Sequence, residues 1–571
     1  MTQPSGEADA PSTSRAAGSS MEGSADRPAV ETRTHWLSAG LRNVAPPATL
    51  MILAITIGLT GWSTTGPNWP DSPRYANAAA MIHDYIVSGD WSNPIEFAQE
   101  NYATYPAFNV PFHPPGYPGL MALWFLVTGV NYLGARAFIA FLAGVSVCAF
   151  YAILRRGLDS RAACFACALL LLTTPAFVRW SRCTMSETPA LAFILLASIC
   201  FLKWMDEGRA RYVWLAFGLA EIAFLCRVTT AGSLPGWFLF ALLMRRPQRV
   251  FSWHVVLASL IYLLINFGYV KFAAHYAAYE VAADGKAALI SWENLRCFKA
   301  LKDLWYWGTI LLGLFGFVLS IRLWREFPLG LFWFCWFTCY MLFKLAVPTT
   351  DEIRHFYGAI VALAGLTACM FAPGLPSWAN RRLMAMFMIL GLALNVFFAV
   401  RHTAVGLVGY DRVAEGLASL SERGNVLLCC IDEQELIFRY RGHVPTGERR
   451  MLRGDRTLAL RSPIYAKVPA TILANNADDV LRTIRQGRAK YVVTCRPELP
   501  EVDDRPEEMR LAHDVISANA EDFQLIQRYP LLVHYSGPGV RYEVYLWKYK
   551  GELPAGPSEL PVRIPTSGMS L

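Results

Sequence analysis

Residues 116–156 read GYPGLMALWFLVTGVNYLGARAFIAFLAGVSVCAFYAILRR. The later part, 133–154, is one apolar run closed by Arg155-Arg156; at about 1.5 Å of rise per residue it crosses roughly 30 Å of hydrocarbon. The earlier part, 116–129, follows the Pro114-Pro115 break and is too short to cross, so it reads as an interfacial or re-entrant helix. That distinction sets the direction of every later segment. Further runs of spanning length lie at about 49–63, 162–180, 188–204, 212–226, 231–244, 251–272, 304–321, 327–346, 356–372 and 383–400, giving about eleven transmembrane helices.

Basic residues test this count, because alternate short loops carry the excess of Arg and Lys. Arg155-Arg156 and Arg161, then Lys203, Arg209 and Arg211, then Arg245-Arg246 and Arg249, then Arg322 and Arg325, then Arg381-Arg382 all fall on one side if 116–129 does not cross. The opposite side receives four segments: about 64–132, the turn 181–187, the loop 273–303 and the loop 347–355. The loop 273–303 fits imperfectly, since it carries Lys286, Arg296, Lys299 and Lys302.

Composition agrees. Apolar residues make up 54% of the 571 and charged residues 17%, too little charge to cover a water-soluble surface of that size. The chain is therefore read as a polytopic α-helical membrane protein. Its net charge of +8 reports topology, and no nucleic-acid partner is expected. Most of the 13 Cys lie inside apolar runs, where a thiol is a small hydrophobe; the Cys164/Cys167 spacing lacks the second pair or His that a zinc site needs.

Residues 1–35 are rich in Ser, Ala, Gly and Pro and read as a disordered tail ahead of an uncleaved first span. The membrane domain is placed at 45–400. From 405 to 550, short β-branched runs (426–428, 490–494, 542–546) alternate with helix-like stretches (411–423, 476–488, 505–520), which predicts a small soluble α/β domain without a nucleotide-binding motif. About eleven spans put it on the non-cytoplasmic side. Residues 551–571 read as a second disordered tail.

Ionisable groups at a membrane are functional candidates by default. The far-side segments hold four sets. Asp71-Ser72-Pro73-Arg74-Tyr75 follows the first span, and Asp71 there also fits a helix N-cap. Next comes the rigid turn Phe112-His113-Pro114-Pro115-Gly116-Tyr117. The third set, Arg179-Trp180-Ser181-Arg182 to Ser186-Glu187-Thr188-Pro189, stands at the mouth of a membrane helix that Ser186 or Glu187 could cap. The fourth, Asp351-Glu352-Ile353-Arg354-His355-Phe356, is either a solvated ion-pair loop or the source of a phosphate clamp at Arg354.

The order Asp-x-x-Arg-Tyr-Ala, Pro-Pro-x-Tyr-Pro, Ser-Arg-x-x-Met-Ser-Glu-x-Pro and Arg-His-Phe resembles the GT-C superfamily of membrane glycosyltransferases. It is nearest to the protein O-mannosyltransferase and lipid A aminoarabinose transferase branch, and the likeness covers about 45–400. The resemblance implies transfer of a monosaccharide from a polyprenyl-phosphate carrier to a lipid, glycan or protein hydroxyl, on the non-cytoplasmic face of a membrane such as a bacterial plasma membrane. By position, Asp71 matches the family's first-loop catalytic acid and Glu187 a second-loop carboxylate that is usually Asp. Ser72, Pro73 and the longer Glu187 depart from the pattern and leave metal dependence open; a divalent cation, if used, would lie at Asp71 and Glu187.

A hydroxyl needs a base as its C–O bond forms, which assigns that role to Asp71. Charge grows on the departing phosphate, which assigns Arg354, then Arg74, His113 and His355, to the donor phosphate. Tyr75, Tyr117 and Arg182 are expected at the substrate. A transporter or flippase for a lipid-linked or anionic substrate is the rival reading, but it favours midplane charges and internal repeats; only Glu221 and Lys344 lie at such depth, and no repeat is evident.

Overall fold

The computed structural model describes residues 30–556 apart from 61–68, 70, 109–112, 277–306, 347–352, 376–379, 403–405, 445–448, 461–470, 500, 502, 504 and 535–538, together with 558 and 560. Two units divide at Pro46/Pro47, and the second, Pro47–Leu571, holds every element discussed below except the start of the first helix.

In chain order the helices of the apolar region are α1 (Val30–Leu59), α2 (Ser72–Ser88), α3 (Pro94–Thr104), α4 (Gly116–Thr128), α5 (Tyr132–Leu154), α6 (Arg161–Thr173), α7 (Pro175–Trp180), α8 (Glu187–Glu207) and α9 (Ala210–Cys226). They continue with α10 (Leu234–Leu243), α11 (Pro247–Val250), α12 (Trp253–Tyr276), α13 (Trp307–Arg322), α14 (Pro328–Ala346), α15 (Tyr357–Leu366) and α16 (Arg381–His402). Five of them, α5, α8, α12, α14 and α16, are long and apolar enough to cross a membrane. Among the described residues, shorter apolar helical stretches lie at Val44–Leu59, Gly116–Thr128, Arg161–Thr173, Val228–Leu243, Trp307–Arg322 and Tyr357–Phe371. The run 162–180 is broken because Pro175 cannot donate to the turn before it, so α7 restarts there while Thr174 Oγ1 donates back to the Leu170 carbonyl at 2.7 Å. Cys164 and Cys167 are free and buried in α6, as the reading of a helical apolar face requires.

Beyond α16 the chain forms a six-stranded sheet of β1 (Gly406–Val408), β2 (Asn425–Cys429), β3 (Met451–Arg453), β6 (Ala489–Pro497), β7 (Phe523–His534) and β8 (Val540–Tyr549), in the order β1-β7-β8-β6-β2-β3. A separate pair joins β4 (Ala459–Leu460) and β5 (Thr471–Ile472). β2 is parallel to β3 and β6, whereas β8 is antiparallel to β6 and β7. Successive side chains point to opposite faces, so the sheet buries two layers. Val426, Leu428, Tyr491 and Val493 pack with α17 (Tyr410–Ala418) and α18 (Glu433–His443). Leu427, Cys429 and Val492 pack with α20 (Ala477–Gly487) and α21 (Glu507–Ala518), and the short α19 (Gly454–Thr457) follows β3.

At both ends the described residues join ordered elements. Residues 30–35, placed in the N-terminal tail, begin α1. At the other end Leu553 and Leu560 pack on the α20/α21 layer and Arg488 donates to the Ala555 carbonyl, so the described part of 551–560 is held to the sheet by apolar burial.

What positions the candidate site is the docking of α18 on α2 and the α3 loop. Arg441 is 2% exposed, pairs with Asp84, and lies 4.6 Å from the Tyr105 ring centroid. Arg450 and Arg453 donate to the carbonyls of Ala103 and Pro106, each at 2.9 Å. Phe438 stacks on Phe125 of α4 at 6.4 Å.

Candidate active site

Pro73 stands in the first turn of α2 and Gly89, at φ +71°, ends it. Asp71 occupies the N-cap position, yet its carboxylate makes no cap bond. It points instead between two guanidiniums: Oδ1 accepts from Arg74 Nη1 at 2.9 Å and Oδ2 from Arg354 Nη1 at 2.8 Å. The capping reading of Asp71 is thereby corrected, because two charge-assisted bonds outweigh one bond to a helical N–H. Arg354 comes from the 3₁₀ turn Ile353–Phe356 ahead of α15, far away in sequence. Its guanidinium lies 5.8 Å from the Trp69 ring centroid, and Arg179 lies 4.9 Å from that same ring.

Burial would raise the Asp71 pKa, but the charges of His113, Arg74 and Arg354 and the bond from Arg354 outweigh it, so the carboxyl is held well below the usual carboxylate range. Burial pushes the His113 imidazole down to about 4; Asp71 opposes this, and Arg74, Arg354 and Arg227 reinforce it. His113 is therefore neutral at pH 7, where the two arginines carry the effect on Asp71.

A second constellation adjoins the first. The Tyr75 ring lies tilted against His113, with centroids 4.4 Å apart, and 5.1 Å from Tyr117, while its hydroxyl donates to Ser186 Oγ at 3.1 Å. Ser186 precedes α8 but caps nothing; its Oγ also accepts from Arg227 Nη1 at 3.3 Å. Arg227 pairs in turn with the fully buried Glu187 side chain at 2.8 Å. Glu187 Oε2 and Tyr117 Oη, both buried, have no hydrogen-bond partner among the described residues. Glu187, Arg227 and Arg354 line one small cavity together with Thr230, Tyr340 and Tyr357.

The residues expected from the sequence thus divide. Asp71, Arg74, Tyr75, His113, Tyr117, Glu187 and Arg354 are linked by the contacts above. The Arg182 guanidinium donates to the Thr60 carbonyl at 3.1 Å, where Arg136 also donates, so it ties down the end of α1. The backbone of His355 lies in the same 3₁₀ turn as Arg354, and its side chain falls outside the described residues, as do Asp351 and Glu352. Arg227 was missed although the turn at 227–230 lies on the far side by the same alternation; it was absorbed between two apolar runs. Gln434, whose Oε1 accepts from Arg74 Nε at 2.9 Å, was also missed.

The acids do not suit a divalent cation as they stand. Both Asp71 oxygens and Glu187 Oε1 face guanidiniums, and no group of three His, Cys, Asp or Glu is close enough to ligate a metal among the described residues.

Stability should report His113. Between about 4, where the folded imidazole protonates, and 6.5, its ordinary value, the unfolded chain holds more protons, so stability falls as pH is lowered through that window. His113→Phe keeps a ring against Tyr75 and is expected to remove that part of the acid sensitivity, read as Tm of the detergent-purified protein at pH 7 and pH 5. An unchanged Tm difference would contradict this assignment.

A family model described as dolichyl-phosphate-mannose-protein mannosyltransferase matches residues 112–270, a stretch that holds His113, Tyr117, Glu187 and Arg227 but not Asp71 or Arg354. A protein of Aquifex aeolicus (strain VF5) is 23% identical over 357 residues, 59% of this chain and 67% of its own length. ArnT from Cupriavidus metallidurans bound to undecaprenyl phosphate superposes with a TM-score of 0.50 at 13% identity, covering 87% of this chain and 97% of ArnT. Its apo form gives 0.50 at 14% identity, covering 90% and 98%. The chain is an integral, polytopic helical membrane protein with the ArnT fold, and it resembles the GT-C membrane glycosyltransferases that its motifs suggested.

Proposed function

We propose that this chain is a membrane glycosyltransferase that moves a monosaccharide from a polyprenyl-phosphate donor to an acceptor hydroxyl of a lipid, glycan or protein on the non-cytoplasmic face. The observation that carries the reading is the pairing of Asp71 with Arg354, which ties the acid after the first apolar helix to the cavity that Glu187 and Arg227 line. The mannosyltransferase family model and the likeness to an ArnT structure holding undecaprenyl phosphate favour a polyprenyl-phosphate donor.

Asp71 is a poor base while two guanidiniums hold it, because a base works best when its pKa lies near the operating pH. A donor phosphate competes for Arg354. As that guanidinium turns to the phosphate, Asp71 keeps only Arg74, its pKa rises, and it can take the acceptor proton. The acceptor oxygen then bonds to the anomeric carbon as the C–O bond to phosphate breaks, with inversion; the proton goes to Asp71 and the electron pair to the phosphate, where Arg354 meets the growing charge. Glu187 Oε2 is an unused acceptor in a buried cavity and suits a hydroxyl of the sugar or the acceptor. No step is routed through a metal.

The test is incubation of the purified full chain with radiolabelled polyprenyl-phosphate sugars and a membrane extract as acceptor source. Consumption of at least one donor, with release of polyprenyl phosphate that depends on Asp71, is expected. Failure to consume any donor in a panel of hexoses and pentoses would overturn the reading.

A further inference from the structure

The segment after β2 turns sharply at Asp432, which adopts φ +51°, and enters α18 with Gln434 facing α2. Gln434 is 6% exposed and makes two bonds there. Its Oε1 accepts from Arg74 Nε at 2.9 Å and its backbone carbonyl accepts from Asn77 Nδ2 at 3.1 Å. Arg74 is the residue whose Nη1 holds Asp71 Oδ1. Farther along the same helix, the Arg441–Asp84 pair fixes α18 against α2.

We infer that Gln434 is a positioning residue for the reaction proposed above, through which the C-terminal sheet domain sets the orientation of Arg74 and so of the Asp71 carboxylate. One end of the Arg74 guanidinium is held by the domain and the other by the acid, so the guanidinium plane cannot rotate without losing one bond. The residue type fits this task. A neutral amide accepts the Nε proton without adding a second anion, whereas a carboxylate at that place would draw Arg74 away from Asp71. In the donor complex, where Arg354 serves the phosphate, Arg74 is the cation left on Asp71, and the contact from Gln434 then has its largest effect.

Gln434→Glu preserves size and burial and is the decisive variant. In transfer from a polyprenyl-phosphate sugar it is expected to lower kcat about 10-fold to 100-fold, to leave donor KM within about twofold, and to move the acid limb of the kcat profile up by about one pH unit. Gln486→Glu, at an exposed site on α20, adds the same charge and should move none of these. A Gln434→Glu profile that overlays wild type would leave Gln434 a packing residue and overturn the inference. If no donor supports transfer, the proposed reaction fails by itself, and the contact is still decided by thermal unfolding. Arg74→Met, Gln434→Leu and the double variant should then show a combined Tm loss clearly smaller than the sum of the single losses, and additive losses would overturn it.

Discussion

Asp71→Asn is expected to lower transfer by at least about 10²-fold, and up to about 10⁴-fold, while the protein remains folded and inserted. The amide is nearly isosteric and its oxygen still accepts from one of the two guanidiniums, but it cannot take a proton from a hydroxyl. Loss of a cap does not confound the result, because the Asp71 side chain caps nothing at the start of α2. Transfer should be followed together with detergent gel filtration and Tm, so that a folding defect is seen as such. Near-normal transfer by a well-folded Asp71→Asn protein would remove Asp71 as the base.

Arg354→Ala should lower kcat/KM for the donor about 10²-fold to 10³-fold, the usual loss when a preorganised group that meets developing charge is removed. Arg354→Lys should recover only part of it, since an ammonium keeps the charge but not the planar fork that now reaches Asp71 and would reach two phosphate oxygens. The variant also leaves Asp71 with Arg74 as its remaining bonded cation, so the acid limb of the profile should move upward. Unchanged donor dependence in Arg354→Ala would reduce Arg354 to a structural partner of Asp71.

Much of this was legible because membranes impose simple rules. Apolar length marked the helical segments, and the alternation of Arg and Lys assigned Asp71, Glu187 and Arg354 to one side; in the structure Arg354 bonds Asp71 and lines one cavity with Glu187. The misses have physical reasons. Arg227 sits in a very short turn between two apolar stretches, where periodicity and length carry little signal. Helix α18, with the sequence EQELIFRYRGH, has no apolar stripe because charged and apolar side chains are both buried around it, against the sheet on one side and α2 on the other. The capping reading of Asp71 failed because local sequence rules cannot see an arginine 283 positions away. Arg182 shared a motif with Glu187, yet its side chain leads to the end of α1.

Polyprenyl-phosphate binding to wild type and Asp71→Asn, measured by titration of the detergent-purified proteins with undecaprenyl phosphate, tests the competition for Arg354 most directly. If the phosphate displaces Asp71 from that guanidinium, the Asn variant, which competes less, should bind it more tightly than wild type while its sugar transfer falls by at least about 10²-fold. Weaker binding by Asp71→Asn, or equal binding with sugar transfer retained, would show that Asp71 and the donor phosphate do not share Arg354.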